Sequence, residues 1–519
     1  MQHLFQMVND AFAFIVPITD TLWSFPTNLE WYSSIPILGD FSLAILLLIG
    51  LGLYLTIDNR FIQIRHFKRG LKVLFSKKKT KDGLSPMTAF LLSSAMRVGP
   101  GNIVGVTGAI TIGGPGALFW MWLSAFLGMA TAYVESTLAQ IFKEKKDDQF
   151  VGGMAFYGKK ALGNHRSVLV VISVLLVLYA VLCQPVQVFY IFTSVSSMAE
   201  AMFHVQYGRD SVLYYVVAAV VIIGSFFIIF GGIKRVTKIT DVLVPVMGCI
   251  YMLLVVIIAL CNIHHFPQFV SSVVVGAFKP DAIFGGLFGV ALVQGMKRGL
   301  MSNEAGMGTV TMFAATSENE HPCEQGAVQS IGVFLDTIII CTMTGFVVVL
   351  AQLWTGEAGV DWNTIKISGI GTFLESITYL FPGTFLDDAI RFVVAFSYGL
   401  FSYTTLIGQV SLAEISANGI RKDRRFINAI RLASTLFAIP FGTLAVLAGL
   451  ELGNIWYLSD FLNIAVVYIN IPLLIVGYKY ARRAIRHFEK SGGGEFTSET
   501  IGMEAEYWDQ RARELKQSK

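Results

Sequence analysis

The sequence predicts an all-α integral membrane protein with about 11 transmembrane helices, built as two inverted five-helix repeats behind one extra N-terminal helix. Three observations carry this reading: composition, a loop-by-loop alternation of basic residues, and two interrupted helices in matching places. The 519 residues are 54% hydrophobic and only 14% charged, against roughly 25% charged in soluble domains. Mean hydropathy is +0.62. So few charges cannot cover a soluble protein of this size, which excludes an ordinary soluble enzyme, a disordered chain and a nucleic-acid binder.

A membrane helix needs about 20 mainly apolar residues. Such runs occupy 41–57, 86–112, 115–142, 168–197, 211–231, 241–262, 283–315, 325–354, 387–415, 428–449 and 455–478. Residues 1–57 form an N-terminal interfacial segment and the extra helix; the mixed stretch Leu4–Trp23 is suited to lying along the interface. Residues 86–262 form the first repeat and 283–478 the second. Residues 479–519 form a cytoplasmic tail, read as a solvated polar stretch beyond a Gly492-Gly493-Gly494 hinge. The first 25 residues carry no basic region of the kind that opens a cleavable signal peptide. Five cysteines without C-x-x-C spacing read as packing residues rather than a metal or disulfide framework.

Orientation follows from Lys and Arg in the loops. With the N-terminus outside, the inside segments 58–85, 143–166, 232–240, 316–324, 417–427 and 479–519 hold 31 of these residues. The outside segments hold three: Arg209, Lys279 and Lys366. Adding or removing one span would mix the two sets. The predicted location is the plasma (cell inner) membrane, with the C-terminus cytoplasmic. The run Lys77-Lys78-Lys79-x-Lys81 is a topology determinant suited to contact with anionic lipid.

Two spans are poor uninterrupted helices. The second contains Met96-Arg97-Val98-Gly99-Pro100-Gly101-Asn102, where Pro removes a backbone donor and the flanking Gly weaken the helix further. The seventh contains Met296-Lys297-Arg298-Gly299-Leu300-Met301-Ser302-Asn303-Glu304. Met96-Arg97-x-Gly99 aligns with Met296-Lys297-x-Gly299, and Asn102 with Asn303 after one extra residue. Each interruption opens a set of five spans, and an odd number of spans per repeat inverts the second copy. A single Gly-rich stretch would read as close helix packing. Two matching breaks point instead to a transporter binding site. Unwound backbone is tolerated at membrane depth only where it is buried in protein or lines a cavity. Freed N–H groups and a half-helix N-terminus favour a carboxylate, and freed C=O groups with nearby hydroxyls favour a hard cation.

The run Gly113-Gly114-Pro115-Gly116-Ala117-Leu118-Phe119-Trp120-Met121-Trp122-Leu123-Ser124-Ala125-Phe126-Leu127-Gly128 resembles the signature of the alanine/glycine:cation symporters, also called sodium:alanine symporters. Ser302-Asn303-Glu304-Ala305-Gly306-Met307-Gly308 is similar to a second hallmark of that family, and Gly101–Val106, Val151-Gly152-Gly153 and Asp336-Thr337 also fit. The likeness spans about residues 50–480. It implies a LeuT-type 5+5 inverted repeat and uptake of a small neutral amino acid, alanine or glycine by default, with Na⁺ as the coupling ion and no cofactor. The chain departs from the family at Pro100, where Thr is usual, at Gln184 and Phe189, which replace two Asn, and at Gln409, where Trp or Tyr is frequent. H⁺ coupling with a different small amino acid, and a non-transporting amino-acid sensor, are the alternatives.

The expected substrate-binding residues are Gly99, Gly101 and Asn102 at the first break, Gly299, Ser302 and Asn303 at the second, and Gln187 and Gln409 on neighbouring spans. The expected Na⁺ ligands are the carbonyls of Arg97, Val98 and Pro100 with the hydroxyls of Thr404 and Thr405. Gln187 reads equally well as an interhelical hydrogen-bonding residue, and the two threonines as bonding back to their own helix. Glu304, an ionisable group in a span, is expected at a gate or in a structural ion pair. The sequence shows no Walker loop, H-E-x-x-H or G-x-S-x-G, so ATP hydrolysis and the commoner hydrolase chemistries have no support.

Overall fold

Apolar sequence becomes helix almost throughout, because backbone polar groups in hydrocarbon need partners within their own segment. The computed structural model describes residues 2–517 apart from 36–37, 77–79, 81–82, 147–148, 206, 209–210, 279–286, 352–369, 382–384 and 449–452. The basic run at 77–81 and most of the loop 355–386 lie outside the described residues. After short helices at the N-terminus come α1 (Leu43–Asp58), α2 (Pro86–Arg97), α3 (Gly101–Gly113) and α4 (Gly116–Ile141). A two-stranded antiparallel hairpin, β1 (Glu144–Lys146) and β2 (Gln149–Val151), pairs Lys145 with Phe150. Then follow α5 (Arg166–Leu182), α6 (Gln184–Phe203), α7 (Val212–Ile229), α8 (Ile233–Cys261), α9 (Leu287–Asn303), α10 (Thr311–Thr316) and α11 (Pro322–Val333). A π-helical stretch, Phe334–Cys341, leads into α12 (Thr342–Ala351), and the chain ends with α13 (Phe385–Ile420), α14 (Arg424–Leu432), α15 (Ile439–Leu447), α16 (Gly453–Ser491) and α17 (Glu506–Gln517). Among the described residues, eight helical stretches are long and apolar enough to cross a membrane, with α1 and α3 as shorter apolar helices.

The helix α4 sits at the centre, packed against α9, α11 and α1 and buried along nearly its whole length. The helix α13 packs on α5, α6 and α8. By contrast, α7 exposes Val216, Val220, Ile223 and Phe227. These recur at the three- and four-residue spacing of one helix face, which in a membrane protein faces lipid.

The two interruptions behave differently. The first divides one span into α2 and α3 at Val98–Pro100. The second does not fall across Gly299, as the alignment of the two motifs suggested. The helix α9 continues through Gly299 to Asn303, and the irregular chain is 304–310. Gly299 serves packing instead: a Cβ there would lie 2.0 Å from Ser124 Oγ and 3.2 Å from Met121 Cα of α4. Positive φ values fall at Glu304 (55°), Gly306 (86°) and Gly308 (78°), where the chain leaves the helical conformation.

The C-terminal segment is docked, which corrects its reading as a solvated tail. At about 1.5 Å per residue, the 39 residues of α16 extend about 58 Å, beyond a hydrocarbon core of about 30 Å. The chain then turns back. Trp508 is 1% exposed and donates from Nε1 to Gln140 O at 2.8 Å. Lys143, at the end of α4, donates to Ser317 O at 2.7 Å. Its ammonium lies 4.1, 4.6 and 5.3 Å from the ring centres of Phe150, Tyr507 and Trp508. The tail therefore ties the end of α4 to the segment before α11. Trp508→Ala removes a large buried ring and its hydrogen bond, a class of change that costs about 3–5 kcal/mol. The expected result is release of residues 492–517 to protease and a lower melting temperature, with the rest of the protein still resistant.

The same interface is expected to respond to acid. His321 stacks on His487 and Phe488, contacts Phe496, and its Nε2 lies 3.2 Å from His487 Nδ1. Burial, then the neighbouring His487 and Arg69, hold its pKa well below 6.5, at about 3. A depressed histidine pKa means that the docked state prefers the neutral ring. Its stabilisation is complete above about pH 6.5 and is lost as pH falls towards 3, because the undocked state takes up protons first. Protease accessibility of the tail is expected to rise between pH 6.5 and 4, and His321→Phe should flatten that rise.

Candidate functional site

A cavity of about 170 Å³ lies between the two breaks. The first break exists because Pro100 has no N–H to donate and because Asn102 caps the gap with its side chain. Gly99 N donates to Asn102 Oδ1 at 2.9 Å. Gly99, Pro100 and Gly101 line the cavity, so the N-terminus of α3 faces it with its partial positive charge. Opposite, Ser302 and Glu304 bring the C-terminal end of α9, with its partial negative charge, to the same space. One wall thus favours a carboxylate and the other an ammonium.

The lining also carries Arg97, Arg298, Glu304 and Asp460, two guanidinium groups and two carboxylates. Gln187 and Gln409 line it too. The Oε1 atom of each is buried and, among the described residues, has no hydrogen-bond partner. Both amides are available to a bound solute.

The two asparagines do not line the cavity; they hold the breaks in place. Asn102 Nδ2 donates to Asp336 Oδ1 at 2.6 Å and to Ser302 Oγ at 3.2 Å. Asn303 Nδ2 donates to Thr337 Oγ1 at 3.3 Å. Ser302 Oγ and Thr337 Oγ1 both donate to Asp336 Oδ2, at 2.9 and 2.8 Å. Asp336, fully buried in the π-helical stretch, is therefore the common acceptor for both broken helices. Arg97 reaches from the first break to the second, donating from Nε to Asn303 O at 3.1 Å and from Nη1 to Gln329 Oε1 at 2.7 Å. Sequence reasoning reached Asp336 only through the family motif and as an ionisable group in a span, not as the shared acceptor of both breaks, and it missed Gln329. An ionisable or amide side chain in an apolar span was the available signal.

Thr404 and Thr405 separate. Thr405 lines the cavity and lies against the first break, where a Cβ on Gly99 would be 2.8 Å from its Oγ1. Its hydroxyl donates back to Phe401 O at 2.8 Å, leaving the oxygen lone pairs toward Gly99. Thr404 bonds to Leu400 O and Phe401 O at 3.0 Å and to Met247 Sδ at 3.4 Å, away from the break. The Pro100 carbonyl accepts from Ile103 N and Val104 N, so it is engaged as the first acceptor of α3. Of the expected oxygen set, the Arg97 and Val98 carbonyls and the Thr405 hydroxyl remain near the C-terminal end of α2. Glu304, in left-handed backbone, accepts from Thr309 Oγ1 at 2.6 Å and so folds the second irregular stretch over the cavity.

Comparison with known proteins identifies a family. Residues 30–499 match the model of the sodium:alanine symporter family. The amino-acid carrier protein AlsT of Bacillus subtilis is 34% identical over 86% of this chain and 89% of its own length. The putative sodium/proton-dependent alanine carrier protein YrbD of the same organism is 32% identical over 96% of this chain and 97% of its own length. The probable sodium/glutamine symporter GlnT, also from Bacillus subtilis, is 33% identical over 86% of this chain and 88% of its own length. A family match over nearly the whole chain, joined to paired helix breaks around one polar cavity, has a plain meaning: the chain belongs to the sodium:alanine symporter family.

Proposed function

We propose that the protein takes up a small neutral amino acid by secondary active symport with Na⁺. The observation that carries this is the charge-balanced cavity between an α-helical N-terminus and an α-helical C-terminus, the arrangement a zwitterion requires. In this reading the substrate carboxylate meets the N–H of Gly101 and the positive end of α3, since Pro100 has no N–H and that of Gly99 is held by Asn102. Its ammonium meets Ser302 and the carbonyl end of α9, and Gln187 and Gln409 bound the side chain. Na⁺ sits between the Arg97 and Val98 carbonyls and Thr405. It orders the unwound segment that holds the substrate, so each ligand improves the other's site.

The reading includes about 11 spans, repeats at 86–262 and 283–478 in a LeuT-type inverted arrangement, and an N-terminus outside with a cytoplasmic tail. Alternating access rocks one helix group against the other around the fixed site. The names of the relatives support both sodium and alanine, and YrbD and GlnT support H⁺ and glutamine as arms of the test.

The test is uptake of labelled alanine, glycine and glutamine into proteoliposomes. Accumulation above equilibrium is expected only with an inward Na⁺ gradient. Equal uptake with and without it would reject Na⁺ coupling, and accumulation driven by a pH gradient alone would replace Na⁺ with H⁺.

A further inference from the structure

A second cavity, of about 440 Å³, lies far from the breaks, where β1, the α7–α8 turn, the end of α13 and α14 converge. Its lining includes Lys146, Lys234, Lys422, Arg424 and Arg431 against one carboxylate, Glu414. That carboxylate is already neutralised: Arg431 holds it with Nε at 3.1 Å and Nη2 at 2.5 Å. The cations come from four separate elements, so their convergence is tertiary and not a run of basic residues in one loop. The turn keeps the floor open. Gly232 has φ +69°, and a Cβ there would lie 2.8 Å from Arg431 Nη2.

Position distinguishes this cavity from a basic surface in water. The exposed apolar stripe Val216, Val220, Ile223, Phe227 and Phe230 runs along α7 and ends at it. On the other side, Leu432, Leu436 and Phe437 are exposed directly after Arg431. An apolar face meets a cationic concavity at one level, which is the boundary between acyl chains and headgroups. We propose that this cavity binds the phosphate headgroup of an anionic glycerophospholipid whose acyl chains lie along the α7 stripe. Arg431, fixed by Glu414 and by Asn428 Oδ1 at 3.1 Å, supplies a rigid wall. Lys422 is held by Glu144 at 2.7 Å, and Arg424, Lys234 and Lys146 bring the lining to five cations against these two carboxylates. Because only the headgroup phosphate needs recognition, the site accepts any headgroup that leaves a net negative charge. The inference needs the chain to be in a bilayer but does not depend on which solute or ion the central cavity takes.

The experiment uses the full chain in neutral detergent, titrated with phosphatidylglycerol, phosphatidylcholine of the same chain length, or inorganic phosphate. Thermal shift and lipid retention by native mass spectrometry are the readouts. Phosphatidylglycerol is expected to bind at least tenfold more tightly than phosphatidylcholine, as follows from about 1 kcal/mol per basic residue near an anionic surface. The double substitution Lys234→Gln with Arg424→Gln should remove most of that preference while leaving the lipid-free melting temperature within about 2 °C. Should that variant fail to fold, wild-type protein gives an independent reading: the preference should fall as KCl rises from 0.1 to 1 M. Equal binding of both lipids, a preference insensitive to salt, or an unchanged preference in a folded double variant would overturn the proposal. Full stabilisation by inorganic phosphate alone would also overturn it, assigning the cavity to a soluble anion.

Discussion

Replacing Asp336 with alanine is expected to lower Na⁺-driven uptake by at least about 100-fold. Its carboxylate accepts from Asn102 Nδ2, Ser302 Oγ and Thr337 Oγ1, all buried. Removing it orphans these donors, each at about 1–3 kcal/mol, and 100-fold requires only about 2.7 kcal/mol. The loss is positional, because Asp336 does not line the cavity. It sets the distance between the N-terminus of α3 and the C-terminus of α9. Asp336→Asn keeps the shape and one acceptor oxygen but turns an amide donor toward hydroxyls, so an intermediate loss is expected. Uptake should be measured beside melting temperature. A folded Asp336→Ala protein with uptake within threefold of wild type would remove Asp336 from any role in holding the breaks.

The second large effect is expected at Gly99. A Cβ added there would stand 2.8 Å from Thr405 Oγ1, a contact that backbone on one side and a helix on the other do not easily relieve. Gly99→Ala should displace the hydroxyl from the C-terminal end of α2 and raise the Na⁺ concentration for half-maximal uptake by about tenfold, the equivalent of about 1.4 kcal/mol. Thr405→Ala should do the same by removing the hydroxyl, while Thr405→Ser should retain most of the affinity. Because both changes act on one contact, the double variant should fall short of the sum of the single effects. An unchanged Na⁺ dependence in both single variants would move the cation elsewhere. Thr404→Ala serves as the control: its hydroxyl bonds back to its own helix, and its Na⁺ dependence should match that of wild type.

The first break was legible because its cause is local. Pro100 lacks a donor and Gly99 and Gly101 flank it, so no packing arrangement restores a regular helix there. The second was legible as a region but not in register. Met296-Lys297-x-Gly299 copies the first motif, yet a Gly inside a helix costs only about 1 kcal/mol, and close packing of α9 on α4 offsets it. The conformational change comes later, at Glu304, Gly306 and Gly308. Likewise, Thr404 and Thr405 are indistinguishable in a string of letters, and only the rotation of α13 against the first break turns one toward it and the other toward Met247.

By itself, the sequence determined what local physics controls: residence in a bilayer, from too few charges to cover a soluble surface; an interruption at Pro100; and membership in a class of carriers, from long signature runs. Tertiary structure alone decided what depends on partners distant in the chain. Asp336 became the acceptor for residues 34 and 234 positions away, Arg97 crossed to the carbonyl of Asn303, and a polar tail found a buried place for Trp508. The physical reason is that a buried polar group must find its partner wherever packing places one, and sequence records the need without recording the address.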